Sequence, residues 1–261
     1  MTKTYFSVPH LSLRFVAVWR RNALVWRKVA GASLLANLVD PLIYLLALGY
    51  GLGALIPEVQ GVPYITFFAA GSVAFSTMNT ATFESFYSAF SRMHVQKTWD
   101  AIMNAPLDLD DIVLAEAVFA ATKAFVAGTA ILVIAALLGV VQSPMAALIL
   151  LVLPLVGLCF ACLGLMITAL AHMYDFFTYY FTLVVTPMAM MSGVFFPVEQ
   201  LPPAMQAVSQ ILPLAHAVQV IRPLLMGEFP SHAMFSLAVL LAYTVIGFYA
   251  ALVLLRRRLA S

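Results

Sequence analysis

The sequence predicts an all-α integral membrane protein: six transmembrane helices, an N-terminal amphipathic interfacial helix, re-entrant external helices before the last span, and both termini cytoplasmic. Three observations carry this expectation. Of the 261 residues, 64% are apolar and only 9% are charged, where a soluble domain carries about 25% charged residues. Mean hydropathy is +1.01. The apolar residues gather into six stretches near or above the ~20 residues that cross a bilayer. A net charge of +2 then reflects topology, and no nucleic-acid partner is expected.

Residues 1–32 read as a cytoplasmic interfacial helix. Arg14, Arg21 and Lys28 recur every seven residues, as do Arg20 and Arg27, while Leu11, Phe15, Val18, Trp19, Val25 and Trp26 fall on the opposite arc. A basic face opposite an aromatic face suits the headgroup region; the alternative is an ordinary amphipathic helix packed on a partner protein. Six Lys and Arg in the first 30 residues, with no short apolar segment before a small-residue cleavage site, predict no removed signal peptide.

The spans are placed at Ser33–Leu55, Tyr64–Phe90, Ile112–Val141, Met145–Leu170, Phe176–Phe196 and Ala233–Leu255. The second and third approach 30 residues, about 45 Å of helix against a core of about 30 Å, so they tilt or project into the cytoplasm. Pro41, Pro154 and Pro187 lie within spans, where neighbouring helices can satisfy freed carbonyls. Arg and Lys precede the first span, follow the sixth at Arg256–Arg258, and lie between the second and third at Arg92 and Lys97. The positive-inside rule sets both ends in the cytoplasm and the loop holding Arg222 outside.

Two connections are longer than a reversal needs. The loop at 91–111 carries a turn of helix that groups Trp99, Ile102 and Met103 at i, i+3 and i+4, an apolar face that suggests a docking knob for a cytoplasmic protein or a surface helix on lipid. Asp108 and Asp111 then read as a cap for the third span. The external segment at 197–232 has Glu199, Arg222 and Glu228 as its only charges. Short helices dipping into the outer half of the membrane fit that composition.

Catalytic signatures are missing. The chain has no G-x-x-x-x-G-K-[ST], G-x-S-x-G or H-E-x-x-H, so it reads as a non-enzyme with no metal site. Cys159 and Cys162 form a lone C-x-x-C inside an apolar helix and read as small packing residues. His172 and Asp175, at i and i+3, read as a polar turn before a metal or catalytic pair. Glu84 and Lys123 are intramembrane charges by position; they pair across adjacent spans, or they sit in cytoplasmic extensions or snorkel. The scarcity of buried charge argues against ion-coupled transport. Phe and Tyr crowd the second span and the start of the fifth, as stacking surfaces for sugar rings or acyl chains or as lipid-facing bulk.

The arrangement resembles the permeases of type-two ABC exporters. The strings that carry the resemblance are Asp40-Pro41-Leu42-Ile43-Tyr44-Leu45-Leu46-Ala47-Leu48-Gly49-Tyr50-Gly51-Leu52-Gly53, Met191-Ser192-Gly193-Val194-Phe195-Phe196-Pro197-Val198-Glu199-Gln200-Leu201-Pro202, and Pro213-Leu214-Ala215-His216 followed by Arg222. Within that family the chain looks most like the nodulation protein J branch of lipo-oligosaccharide exporters. The resemblance implies a homodimer in the bacterial inner membrane served by two separate ATPase subunits, which bind the ATP and Mg; this chain holds no cofactor. It implies docking of the ATPase on Lys97, Thr98, Trp99, Asp100, Ile102, Met103 and Asn104, with His172 and Asp175 as a lesser contact. It also implies a translocation path along Phe75, Asn79, Thr80, Phe83, Tyr179 and Tyr180, and an external gate at Phe196, Pro197, His216 and Arg222. The cargo expected is an amphipathic glycan or lipid, with a drug or long polysaccharide as the alternative. A membrane-embedded lipid-modifying enzyme is a further reading.

Overall fold

The computed structural model describes residues 5–259, apart from the side chains at 34, 36–38 and 40; Lys3 and the Asp40 side chain thus lie outside the described residues. In chain order the helices are α1 (Phe15–Arg27), α2 (Ala30–Gly51), α3 (Tyr64–Phe83), α4 (Thr98–Met103), α5 (Leu109–Leu137), α6 (Ile149–Leu170), α7 (Asp175–Tyr180), α8 (Thr186–Met191), α9 (Pro203–Ser209), α10 (Pro213–Met226) and α11 (Ala233–Arg258). Each of the six apolar stretches is helical. By length and apolarity alone, α5, α6 with its preceding 3₁₀ turn, and α11 qualify as membrane-crossing, and a fourth does if α9 and α10 form one broken span.

The fifth stretch falls short of that test in length because it is divided, whereas α3 has 20 residues and falls short in apolarity, with Ser72, Ser76, Thr77, Asn79, Thr80 and Thr82 among them. Past Phe83 the path of α3 continues through π-helical turns at Glu84–Ala89 and Ser91–Val95, and α7 joins α8 through another at Phe181–Val185. These i→i+5 turns mark functional sites in many helices. Here the first of them brings Glu84 round towards α5.

One small departure from an all-α chain precedes α3. Strands β1 (Glu58–Val59) and β2 (Val62–Pro63) pair antiparallel. Gln60 and Gly61, both at positive φ, make the tight turn.

α6 is the central post, packed on α3, α5 and α11. Small residues let the backbones approach, as they must where lipid supplies no hydrophobic drive between helices. A Cβ on Gly157 would lie 3.1 Å from the Ala121 Cα, and one on Gly164 2.7 Å from the Ser85 Cβ. Cys159 and Cys162 are buried in this packing as free thiols.

α1 differs from expectation. Its inner stripe packs on α5: Val18 and Asn22 are buried, Trp19 Nε1 donates to Thr122 Oγ1 at 3.2 Å, and the Trp26 ring meets Phe119 edge-on at 6.5 Å. Of the predicted apolar arc, Leu11 and Val25 stay exposed. The two indoles share a protein contact because residues 19, 22 and 26 fall on one side of a helix.

The predicted cap on the third span also changes. Asp108 takes the N-cap position but its side chain makes no capping bond. Asp110 and Asp111 instead hold the N-terminal segment: His10 N donates to Asp110 Oδ2 at 2.8 Å, and Ser12 N and Oγ donate to Asp111 at 2.8 and 2.7 Å. Arg256 at the end of α11 joins the same knot, with Nη2 2.5 Å from Asp110 Oδ2 and Nη1 donating to Ser7 O at 2.7 Å. Both described ends therefore meet at the α4 end of the bundle.

Candidate functional site: a clamped turn and an apolar groove

Four charged side chains converge where α1, α3, α4 and α5 meet. Lys123 Nζ lies 2.6 Å from Glu84 Oε2, Arg92 Nη2 lies 2.9 Å from Glu84 Oε1 and 2.5 Å from Glu116 Oε2, and Arg92 Nε donates to Glu116 Oε1 at 2.9 Å. Glu84 and Glu116 are buried. Glu84 and Lys123 thus pair across the two helices. Two carboxylates face two cations, so the cluster is neutral. That balance matters because an unpaired buried charge is far costlier than a satisfied pair. For Arg92, beyond the predicted span, burial alone pulls the guanidinium down, but Glu116 and Glu84 outweigh it and hold its pKa above the ordinary value.

Glu116 also receives Trp99 Nε1 at 3.2 Å and Asn22 Nδ2 at 3.2 Å. This corrects the expectation for the docking turn. Trp99 is 0% exposed and points into the bundle, so its ring offers no surface to a partner. Ile102 and Met103 are half-buried beside it, as is Thr98. The outer face of the turn is Lys97, Asp100, Ala101 and Asn104. Lys97 starts the turn in the left-handed region at φ 53°, and Arg14 Nη1 holds the far end by donating to Pro106 O at 2.6 Å. The turn is thus tied at its root by Trp99, at its exit by Arg14, and presented by its polar side. His172 and Asp175 are exposed, on a turn whose Tyr174 ring packs 5.0 Å from Phe90.

A cavity of about 660 Å³ opens between α2, α3, α8 and the turn after α8. Tyr44, Leu48 and Leu52, one i+4 stripe of α2, form one wall; Phe75, Phe181, Phe195 and Phe196 form much of the other. Below Phe75 the stripe of α3 runs through Asn79, Phe83 and Tyr87. Phe83 packs 5.3 Å from Phe181 and 5.4 Å from Tyr87. Asn79 Oδ1 is buried there with no hydrogen-bond partner among the described residues. The remaining predicted path residues divide. Thr80 is buried against a smaller polar cleft that also holds Glu84 and Lys123. Tyr180 turns its ring edge-on to Phe86 at 5.4 Å, and Tyr179 is 67% exposed.

The predicted gate splits as well. Phe196 and Pro197 line the groove. Arg222 stacks over Phe67 with its guanidinium carbon 3.7 Å from the ring centroid and donates through Nη2 to Gly193 O. Gly193 takes φ 74° to make that turn, and α3 comes so close that a Cβ on Gly71 would lie 2.5 Å from Val194 O. His216 does not join them. It is buried on the α11 side, with Nε2 donating to Gln210 O at 2.9 Å and Nδ1 3.2 Å from Ser236 Oγ. α9 and α10, which carry this region, meet at 83°.

Sequence reasoning missed Glu116, Arg92 as its partner, and the α2 wall. Glu116 and Lys123 stand seven residues apart on one helix, which puts them on one face. Tyr44, Leu48 and Leu52 share the i+4 spacing that marks a stripe.

A helical bundle built on apolar spans, with a tied turn at one end and an open groove, defines a membrane permease. The chain belongs to the ABC-2 type transporter family, whose pattern matches residues 14–226. It is 49% identical over 260 residues to Nodulation protein J of Rhizobium meliloti strain 1021, covering 99% of each chain. It is 48% identical over 253 residues to Nodulation protein J of Rhizobium leguminosarum bv. viciae, covering 97% of this chain and 98% of that one. More distantly, it is 21% identical over 206 residues to the inner membrane transport permease YadH of Escherichia coli K12, covering 79% and 80%. Permeases of this family work with an ABC ATPase partner.

Proposed function

We propose that this chain is the permease subunit of an ATP-driven exporter that moves an amphipathic glycolipid, of the lipo-oligosaccharide class, out of the cytoplasm. The observation that carries it is the groove: an apolar cavity of about 660 Å³ that reaches Phe75, from which the stripe of α3 runs on past Asn79, whose buried Oδ1 has no partner among the described residues. Apolar walls take a lipid tail, aromatic faces take sugar rings, and the buried Asn79 oxygen would accept a hydroxyl once the stripe is uncovered. The similarity to Nodulation protein J points the same way.

In this reading the chain crosses the bacterial inner membrane six times. Arg256, Arg257, Arg258 and the α1 arginines stay in the cytoplasm, and α9 and α10 dip into the outer leaflet. Two copies pair, and two ATPase subunits bind the ATP and Mg. Each ATPase seats on Lys97, Asp100, Ala101 and Asn104, with His172 and Asp175 nearby. The Trp99–Glu116 root and the Arg92 ion pairs make the turn rigid, so closure of the ATPases tilts α3 and α5 as a unit. Phe196, Pro197 and Arg222 close the outer end. The apolar lining also favours a second reading, export of a compact amphipathic drug. Transport into inverted vesicles distinguishes them: the proposal expects ATP-dependent accumulation of a glycolipid, and accumulation of a drug without any glycolipid would favour the second reading.

A further inference from the structure

Beyond the groove, a second cavity of about 660 Å³ opens between α9, α10 and α11. α10 packs against both α3 and α11, and this cavity lies on its α11 flank, at the end of α11 opposite Arg256–Arg258. Its polar wall is made of Gln210, His216, Gln219, His232 and Ser236, and Phe235 stands at its edge. None of these side chains is a carboxylate, lysine or arginine.

The hydrogen bonds of this wall do not close on themselves. His216 Nε2 must donate to the Gln210 carbonyl, which can only accept, so in a neutral imidazole Nδ1 is an acceptor. Ser236 Oγ lies 3.2 Å from that Nδ1 and 3.2 Å from Gln219 Oε1. A serine hydroxyl has one hydrogen and cannot satisfy both. If it serves His216, the Gln219 carbonyl oxygen is open; if it serves Gln219, the His216 nitrogen is. Turning the Gln219 amide round leaves its carbonyl oxygen open in the other direction. Gln210 lines the same space, and its side-chain amide bonds to no other described residue. Phe235 meets His216 in a T-shaped contact, 5.6 Å between centroids at 70°, and is 63% exposed, so at least one face of its ring is free.

We propose that this cavity binds a neutral saccharide. Amide, hydroxyl and imidazole groups beside a free aromatic face match a sugar, which offers hydroxyls on its rim and C–H groups on its faces. The absence of lysine, arginine and carboxylate from the wall disfavours a phosphate or carboxylate ligand. The volume falls within the ~300–1,000 Å³ of small-molecule sites. The assignment deepens the glycolipid reading and rests on it for the side of the membrane concerned: the cavity would receive the glycan head after it leaves the groove.

The test uses the purified full chain in detergent with four probes: maltotetraose, the tetramer of N-acetylglucosamine, glucose 6-phosphate and glycerol 3-phosphate. Binding is read by saturation-transfer NMR and titration calorimetry. The proposal expects at least one tetrasaccharide to bind, tenfold or more weaker binding in Phe235→Ala and in Gln219→Leu, and no competition from the phosphates. No tetrasaccharide binding by monodisperse protein, binding unchanged in both variants, or stronger binding of the phosphates would overturn it. Saccharide binding in a protein that exports no glycolipid would retain the site and reject the transport reading; glycolipid export without saccharide binding would do the reverse.

Discussion

The indole nitrogen of Trp99 donates to Glu116 Oε1 at 3.2 Å, so the short helix between the second and third spans is anchored inward by its largest side chain. Truncation should therefore damage the fold before it damages docking. Trp99→Ala is expected to destabilise the protein by ~3–5 kcal/mol, as large buried aromatics do. A thermal melt in detergent checks this, and an unchanged midpoint would place Trp99 outside the core.

Docking should instead depend on the outer face. Asp100→Arg and Asn104→Arg alter exposed positions, where substitutions usually shift stability by less than about 0.5 kcal/mol. ATP-driven transport by the reconstituted complex is expected to fall tenfold or more while the melt stays put. Full transport by the double variant would remove these residues from the interface.

The ion cluster should behave as one unit. Glu116→Gln leaves Arg92 with half its partners in a buried place, and a loss of ~3–5 kcal/mol is expected. Glu84→Gln and Lys123→Met together should cost less than the sum of the two separately, since each alone strands a charge. Additive losses in that cycle would mean that the 2.6 Å pair carries no coupling.

Asn79 separates function from stability. Its Oδ1 is buried without a partner among the described residues, and such a group costs about 1–3 kcal/mol. Asn79→Leu should thus leave the melt unchanged or raise it, while transport drops. A lower melting point with normal transport would give Asn79 a structural role only.

At the Gly193 turn, Gly71→Val forces a side chain against the Val194 carbonyl. Overpacking of this kind costs about 1–3 kcal/mol and should displace the Gly193 turn from Arg222. Transport should fall more than expression does, measured side by side in membranes.

Much of this architecture was legible in the sequence, and particular residues show where legibility stopped. Apolar run length located the helices, including the over-long stretches that became α3 and α5. The i, i+3, i+4 spacing grouped Trp99, Ile102 and Met103 correctly but could not say which way the group faced, because an apolar face reads alike whether it meets a partner or its own core. Asp110 and Asp111 look like cap residues at any helix start; only the folded chain brings His10 and Ser12, about a hundred residues away, to their carboxylates. The π turns leave no periodic signal, and they set the path of α3 at Glu84. His216 and Arg222 lie six residues apart, yet they serve opposite flanks of α10.

The central claim is that this permease works with a separate ATPase seated on the α4 turn. The most direct measurement is purification of the tagged chain from its native membrane in mild detergent, with quantitative mass spectrometry and an ATPase assay. The account predicts a P-loop ATPase recovered in equal amount and ATP hydrolysis that the Asp100→Arg, Asn104→Arg variant loses together with the bound subunit. A permease recovered alone, or an ATPase held equally well by that variant, would contradict it.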